Sequence, residues 1–562
     1  MSILELKTDN CKNCYKCVRH CPVKSIRVQE HRPEIIAEEC ILCGRCTLVC
    51  PQNAKVVHSD IPAVQKLLSS GRPVFASVAP SWAASFPLPC FSALAQRLGR
   101  LGFSGAMETA EGAYLVKSRY EELVREDPSA VLLSSCCPSA VALIEKHYPD
   151  LLPHVAAVLS PMEAHAARIR ALHPGAAVVF LGPCISKKDE AARGTVDGAL
   201  TFQELEAWLK KEGLFSPEEE AALCEPERYR SRFFPTTGGI LRTMEQLPQV
   251  QYLAVEGVEQ CMAALEEIRA GKLRGCFIEM SACIGSCSAG PAGTERAHSA
   301  LSARLRVEQT AGDRKDYDLP ERPELSRILR DRSQRRAVPS EAELTAILRQ
   351  MGKRRPEDEL NCGGCGYDTC RQKAAAVYEG KAEISMCLPF MKERAESFSA
   401  QILDYTPNAI LAVDLDLTIQ QINPAACRLF GLEDSSGAVG HPVSEFLEEY
   451  DFVEVIGSDS GILKKTAELS RYEKYVEQFL LFDPAGGLVV CIMKDITRRH
   501  ALREQALRAR TDAAEITDRI VEKQLRIVHE IASLLGETAA ETKIALTELK
   551  DTIVLESGEE EE

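Results

Sequence analysis

The 562-residue sequence contains no apolar run of about 18 residues, the length a membrane-crossing helix needs. It also lacks a signal peptide, since charged and cysteine-rich sequence begins within about ten residues of Met1. Both absences point to a cytoplasmic protein with no membrane association. Positive charge is not in excess either: the net charge of −15 argues against a nucleic-acid partner. The acidic Glu559–Glu562 end reads as a solvated tail. No kinase histidine box, nucleotide-binding glycine loop or DNA-binding motif is present, and His529 reads as a solvated helix residue rather than a phosphoacceptor. Any output must pass to a separate protein.

Cysteine, by contrast, is abundant, with 23 in a chain whose 45% hydrophobic and 27% charged content is ordinary for globular protein. A chain of this length divides into several domains. Disulfides are unstable in a reducing cytosol, so metal ligation is the better use of these thiols. That use suggests a setting low in oxygen.

Residues 1–58 carry the first set. Cys11, Cys14, Cys17 and Cys21 follow C-x2-C-x2-C-x3-C-P order, and Cys40, Cys43, Cys46 and Cys50 repeat it. Soft thiolates suit iron–sulfur clusters, and in this pattern each fourth Cys ligates the other cluster. One cluster is assigned to Cys11, Cys14, Cys17 and Cys50, the other to Cys40, Cys43, Cys46 and Cys21. A zinc ribbon is the competing use of such pairs.

In residues 59–315 short apolar runs alternate with helical patterns. Pro73–Val78 and Ala176–Leu181 read as buried strands, and Phe91–Leu101 and Val141–Tyr148 as helices, which gives an α/β domain. Strand-like runs precede Ser134-Ser135-Cys136-Cys137-Pro138, Pro183-Cys184 and Ala282-Cys283-Ile284-Gly285-Ser286-Cys287. Loops at strand ends are where such folds build their sites. Cys90, Cys224, Cys261 and Cys276 match no motif and read as core or surface thiols.

At these residues the chain resembles the large-subunit domain of the [FeFe]-hydrogenases, whose signatures are written TSCCP, MPCxxKxxE and FxExMACxxGC. Here they stand as Ser134–Pro138, as Pro183-Cys184 with Lys187 and Glu190, and as Phe277–Cys283 with Cys287. Ala79-Pro80-Ser81 and Thr237-Gly238-Gly239 extend the resemblance over most of the domain. It implies that Cys137, Cys184, Cys283 and Cys287 hold a [4Fe-4S] cluster, with Cys287 bridging to a two-iron subsite. Together these form an H-cluster whose diiron part bears CO, cyanide and a bridging dithiolate. The resemblance also places Lys187 on one cyanide, Ser81 near another, and Cys136 as proton relay.

Departures from the family pattern bear on activity. Gly182 and Ser281 replace two Met, which leaves the expected pocket roomier or wetter, and Met162 replaces a Gln. An ungapped reading puts Arg119, Glu122 and Ala156 at the family's proton-path positions, with only Glu122 acidic. The expectation is slow turnover, which suits a sensor better than a producer.

Residues 316–355 are highly charged and read as a linker with a docking helix over Glu341–Met351. Within 356–395, Cys362, Cys365, Cys370 and Cys387 form a C-x2-C-x4-C-x16-C pattern. It resembles the small [4Fe-4S] domain of bacterial electron-transfer and corrinoid proteins, with zinc again the competing reading. Residues 396–500 resemble a PAS sensor domain. Strand-like Asn408–Asp414 leads to a short helix before Gly431, and strands at Phe479–Phe482 and Leu488–Lys494 end in Asp495-Ile496-Thr497. No haem or flavin signature accompanies it, and a purely dimerising PAS domain is an equal alternative. In residues 501–562, Val521, Leu525, Val528, Ala532, Leu535, Ala539, Leu546, Leu549 and Ile553 keep coiled-coil spacing, although Gly536 offers a break into two helices.

The expected fold class is multidomain α+β and α/β: two-cluster ferredoxin, H-cluster α/β domain, small [4Fe-4S] domain, PAS domain and coiled-coil helix. The expected cofactors are three accessory [4Fe-4S] clusters and the H-cluster. The expected function is a sensory [FeFe]-hydrogenase acting on H2 and protons. It would exchange electrons with a ferredoxin-like partner, signal to a kinase, phosphatase or cyclase, and dimerise through its PAS domain and coiled coil. A catalytic ferredoxin-linked hydrogenase and a non-catalytic Fe-S scaffold are the rival readings.

Overall fold

A computed structural model of the protein describes residues 3–215, 228–313, 315–319, 323–334 and 337–556. Cys224, Arg314 and the acidic Glu559–Glu562 end lie outside the described residues. The chain forms two compact units, Met1–Met391 and Lys392–Glu562.

The first unit begins with two short antiparallel pairs, Leu4–Leu6 with Lys55–Val57 and Ile26–Gln29 with Arg32–Ile35. Two one-turn helices, Lys16–Arg19 and Arg45–Leu48, carry cysteines of the two motifs. Two parallel sheets follow. Gly105–Glu108, Val74–Val78, Ala177–Gly182 and Gly198–Thr201 lie side by side in that order. Gln251–Glu256, Cys276–Ser281 and Val131–Leu133 form the other sheet. Ala177–Gly182 is buried at every residue, as a parallel strand covered on both faces must be. The expected strands and helices of this domain are present, shifted by one to three residues at their ends.

Three sequence expectations change here. The expected linker is held against the preceding α/β domain over part of its length: Leu159 N–H donates to Leu325 O and Arg327 N–H to Ala157 O. Within this charged stretch Arg327 has 8% side-chain exposure and meets two carboxylates, Glu163 and Glu190. Cys90 is disulfide-bonded rather than a free thiol. At Gly182, a Cβ would meet the Phe180 ring at 2.5 Å, so no extra room opens there.

In the second unit Ile419–Ile422, Ala409–Val413, Leu488–Asp495, Lys474–Asp483 and Ile462–Leu469 form one antiparallel sheet in that order. Its inner face packs Leu411, Ile419, Phe452, Leu480 and Met493 into a closed core. One 60-residue helix, Thr497–Glu556, then runs unbroken through Gly536. Leu525, Leu535, Leu546 and Leu549 along it are each more than half exposed.

Candidate metal centre

The three cysteine loops leave the C-terminal ends of strands Val131–Leu133, Ala177–Gly182 and Cys276–Ser281, which belong to two different sheets. Hydrogen bonds tie the loops together. Ser134 Oγ accepts from Met280 N–H at 3.0 Å, and Ser139 Oγ donates to Ser186 Oγ at 3.0 Å. Cys137 caps the helix Pro138–His147, and Pro138 at its first position costs no hydrogen bond.

These ties bring the expected ligands together. Cys283 lies within electrostatic reach of Cys184, Cys137 and Cys287, and burial raises its pKa well above the usual thiol range. Burial pushes Cys137 and Cys287 up in the same way. Closely grouped, desolvated thiols resist ionisation unless a metal takes the thiolates. Cys43 is also in reach of Cys283, which sets the Cys40–Cys46 loop beside the centre. Gly44 makes this approach possible: at φ +74 its Cβ would strike Ile185 and Pro291 at 2.7 Å.

Cys136 sits beside Cys137 with its thiol pushed up to about 12 by burial. Its partner is the Tyr120 hydroxyl at 3.1 Å, a contact the sequence reading missed. Tyr120 Oη accepts from Ser135 N–H at 2.8 Å and meets Ser135 Oγ at 2.9 Å, and Ser135 Oγ donates to Val158 O at 2.7 Å. The chain therefore ends on a carbonyl. Arg119 and Glu122 pair with each other at 2.9 Å on the outer side of the same helix, and Ala156 is buried core. The signal that could have shown this is helical period: Val116, Tyr120 and Val124 form the buried stripe, so Arg119 and Glu122 face out.

Lys187 lies within electrostatic reach of Cys136. Its ammonium donates to Ser160 Oγ at 2.8 Å and to Glu190 at 2.5 Å. Burial opposes the charge, but Glu190 outweighs it and holds the Lys187 pKa above the usual range. Burial likewise opposes the Glu190 carboxylate, and Lys187 and Arg327 together hold its pKa low. Arg327 reaches Glu190 at 3.1 Å and Glu163 at 3.7 Å. Glu190 thus positions Lys187, and Arg327 positions Glu190. Sequence gave no sign of Arg327, which lies far along the chain in a charged stretch.

The accessory thiols also gather. Cys21, Cys40, Cys43 and Cys46 line one small cavity, which joins the second motif to the fourth Cys of the first. Cys11 and Cys14 lie in reach of Cys17. The Cys50 thiol accepts from Ala54 N–H at 3.3 Å, and nearby amides pull its pKa down against burial. Cys362, Cys365, Cys370 and Cys387 line another small cavity. Among the described residues no three His, Cys, Asp or Glu side chains close around a single-ion position, whereas zinc holds sulfur at about 2.3 Å.

The residues fit an H-cluster at the central site on a second ground. Ser81 Oγ is fully buried without a hydrogen-bond partner, and so costly a group is kept where a ligand satisfies it.

Comparison with known proteins agrees. Residues 72–291 match the family described as iron only hydrogenase large subunit, C-terminal domain. Residues 3–54 match a 4Fe-4S dicluster domain, 358–389 a putative Fe-S cluster and 398–466 a PAS fold. The chain is 26% identical over 269 residues to the NADP-reducing hydrogenase subunit HndD of Solidesulfovibrio fructosivorans, covering 39% of this chain and 46% of that protein. It is thus similar to less than half the length of that relative. To the periplasmic [Fe] hydrogenase large subunit of Nitratidesulfovibrio vulgaris it is 25% identical over 365 residues, 52% of this chain and 86% of that one. The apo [FeFe]-hydrogenase of Chlamydomonas reinhardtii shares 19% identity at a TM-score of 0.35, over 48% of this chain and 91% of that one. Residues 72–291 thus match an iron-only hydrogenase large-subunit domain, carried on one chain with matches to iron–sulfur domains and a PAS fold.

Proposed function

We propose that the protein is a sensory [FeFe]-hydrogenase that binds H2, oxidises it slowly and relays the resulting redox state to its PAS and helical end. An H-cluster, when bound, supplies the splitting of hydrogen and the first uptake of electrons. Cys137, Cys184, Cys283 and Cys287 are the residues that would hold it. Lys187 and Ser81 would donate hydrogen bonds to its anionic ligands.

The observation that carries the sensory reading is the proton route. Cys136 can take or give a proton, but the route behind it runs through Tyr120 and Ser135 to the Val158 carbonyl. A carbonyl accepts a hydrogen bond and passes no proton on. Proton exit then waits for rearrangement, and turnover is slow. The helix Leu388–Tyr405 starts directly after Cys387, so a change of charge at that cysteine group falls at the first turn of the helix that precedes the PAS residues in sequence. The exposed leucines of the terminal helix support pairing with a second copy, and its output would go to a separate kinase, phosphatase or cyclase.

Infrared spectroscopy with hydrogen titration tests this on protein loaded with iron, sulfide and a diiron cofactor. CO and cyanide bands that respond to hydrogen, with very slow turnover in the same sample, are expected. Fast turnover would establish a catalytic, ferredoxin-linked enzyme instead. No such bands in a chain with filled [4Fe-4S] sites would leave an electron-transfer scaffold.

A further inference from the structure

The domain around Cys362–Cys387 lies against the N-terminal ferredoxin-like module, far from it in sequence. The Arg19 guanidinium donates to Gly364 O at 3.0 Å, Lys24 Nζ to Gly366 O at 2.9 Å, and Val28 N–H to Lys381 O at 2.8 Å. Gly366 permits this contact: at φ +94 its Cβ would meet Arg19 N and Val18 at 3.1 Å.

Tyr367 fills the seam. It is 4% exposed and packs in one cluster with Cys17, Val18, Cys21 and Ile26 of the ferredoxin-like module. Cys365 and Cys21 both lie within electrostatic reach of its phenol. Two ammonium groups sit over the same ring, Lys24 from one module at 5.8 Å and Lys373 from the other at 5.7 Å. Lys373 is fully buried and donates to Glu383 O at 2.5 Å. The Tyr367 hydroxyl is buried with no hydrogen-bond partner. Leaving a buried hydroxyl without a partner is costly, and buried tyrosines ordinarily find an acceptor. Phenylalanine would seal the seam without that cost. Sulfur of an iron–sulfur cluster on either side is an acceptor of the right kind.

We propose that Tyr367 is the bridge of an electron-transfer junction, its hydroxyl donating to cluster sulfur at the seam between the Cys21 group and the Cys365 group. Lys24 and Lys373 stabilise the added electron on either side. One electron leaves one cluster, which is oxidised by one, and enters the other, which is reduced by one; no bond forms or breaks and no proton moves. The small domain is then the far terminal of a relay that runs through the ferredoxin-like module. The inference rests on cluster ligation at these two cysteine groups and not on hydrogen as the signal.

The test uses the full chain reconstituted with iron and sulfide alone, reduced with dithionite and followed by electron paramagnetic resonance and a mediated redox titration. A Cys370→Ser chain, short of one cluster's iron, supplies the reference. In the wild type the third cluster's signal is expected to be split or broadened by its neighbour. Tyr367→Phe should keep its iron and titrate with one potential lowered by about 60 mV, tenfold in the reduction equilibrium. A wild-type spectrum equal to the reference plus an unperturbed cluster, with Tyr367→Phe titrating like the wild type, overturns the proposal. If Tyr367→Phe loads poorly, Lys24→Met decides: a lowered potential supports the junction, and an unchanged one overturns it. Neither result depends on a diiron unit or on hydrogen.

Discussion

The two walls of the central site differ in how their hydrogen bonds end. On the Lys187 wall each charge meets another: Lys187 with Glu190, Glu190 with Arg327, Arg327 with Glu163, and Ser160 within the set. On the Cys136 wall the hydrogen-bonded chain is made of a thiol and hydroxyls and stops at the Val158 carbonyl, with the buried Glu279 carboxyl in electrostatic reach of the thiol. Both walls are buried, but only the first pairs its charges directly with one another. A closed ionic set can present an ammonium to an anionic ligand without reorganising. A hydrogen-bonded chain that ends on a carbonyl keeps a thiol in place and, on the reading proposed above, slows the departure of its proton. The contrast separates holding the cofactor from running it.

The largest break in that contrast is Glu190→Ala, which strands Lys187 as a buried unpaired charge and leaves Arg327 only its longer contact with Glu163. A loss of about 3–5 kcal/mol is expected for the hydrogenase-like domain, read by urea denaturation of the apo chain. If stability holds, the ionic set is not what stabilises this wall. Tyr120→Phe breaks the other wall more gently. It leaves the buried Ser135 N–H without its acceptor, at about 1–3 kcal/mol. Because the route already ends at Val158, hydrogen turnover of the loaded variant should stay within about twofold of wild type, a shift of under about 0.5 kcal/mol in barrier. A collapse of turnover would show that Tyr120 carries protons after all.

These walls were not equally legible in the sequence. The cysteines, Lys187 and Glu190 announce themselves because ligation fixes short spacings within single loops. Tyr120 hides because its role comes from which face of a helix is buried, and an ungapped register landed on Arg119 and Glu122, one and two positions away. Arg327 could not be read at all, since long-range ion pairs leave no local pattern. The strands and helices of the parallel sheets were legible because burial on both faces gives unbroken apolar runs. In the PAS unit Ile419–Ile422 and Ile462–Leu469 escaped notice, for polar residues occupy much of each strand.

A third polar chain sharpens the comparison through pH. His165 is fully buried, its Nδ1 2.7 Å from Ser77 Oγ, which in turn meets Thr109. Burial, with Arg168 adding to it, drops its pKa to about 3. The unfolded chain therefore binds the proton first as pH falls below about 6.5. Stability from this group is present above that pH and is lost toward pH 3, at up to about 1.4 kcal/mol per pH unit. Urea midpoints of the apo chain between pH 7 and pH 5 should fall accordingly, and His165→Gln should flatten the slope. An unchanged slope would assign the acid sensitivity elsewhere, His147 being the next group lowered by burial.

The smallest expected effect on stability is the most telling about the ligand. Ser81 Oγ makes no hydrogen bond within the protein, so Ser81→Ala removes nothing from the apo chain. A stability change within about 0.5 kcal/mol is expected. In the loaded protein the same change should shift a cyanide band, because the hydroxyl's acceptor is then the cofactor. Lys187→Met, by contrast, should disturb both readouts, since Lys187 has partners on the protein side as well. If Ser81→Ala destabilises the apo chain and leaves every band in place, Ser81 belongs to the protein's own packing, and only the charged wall addresses the cofactor.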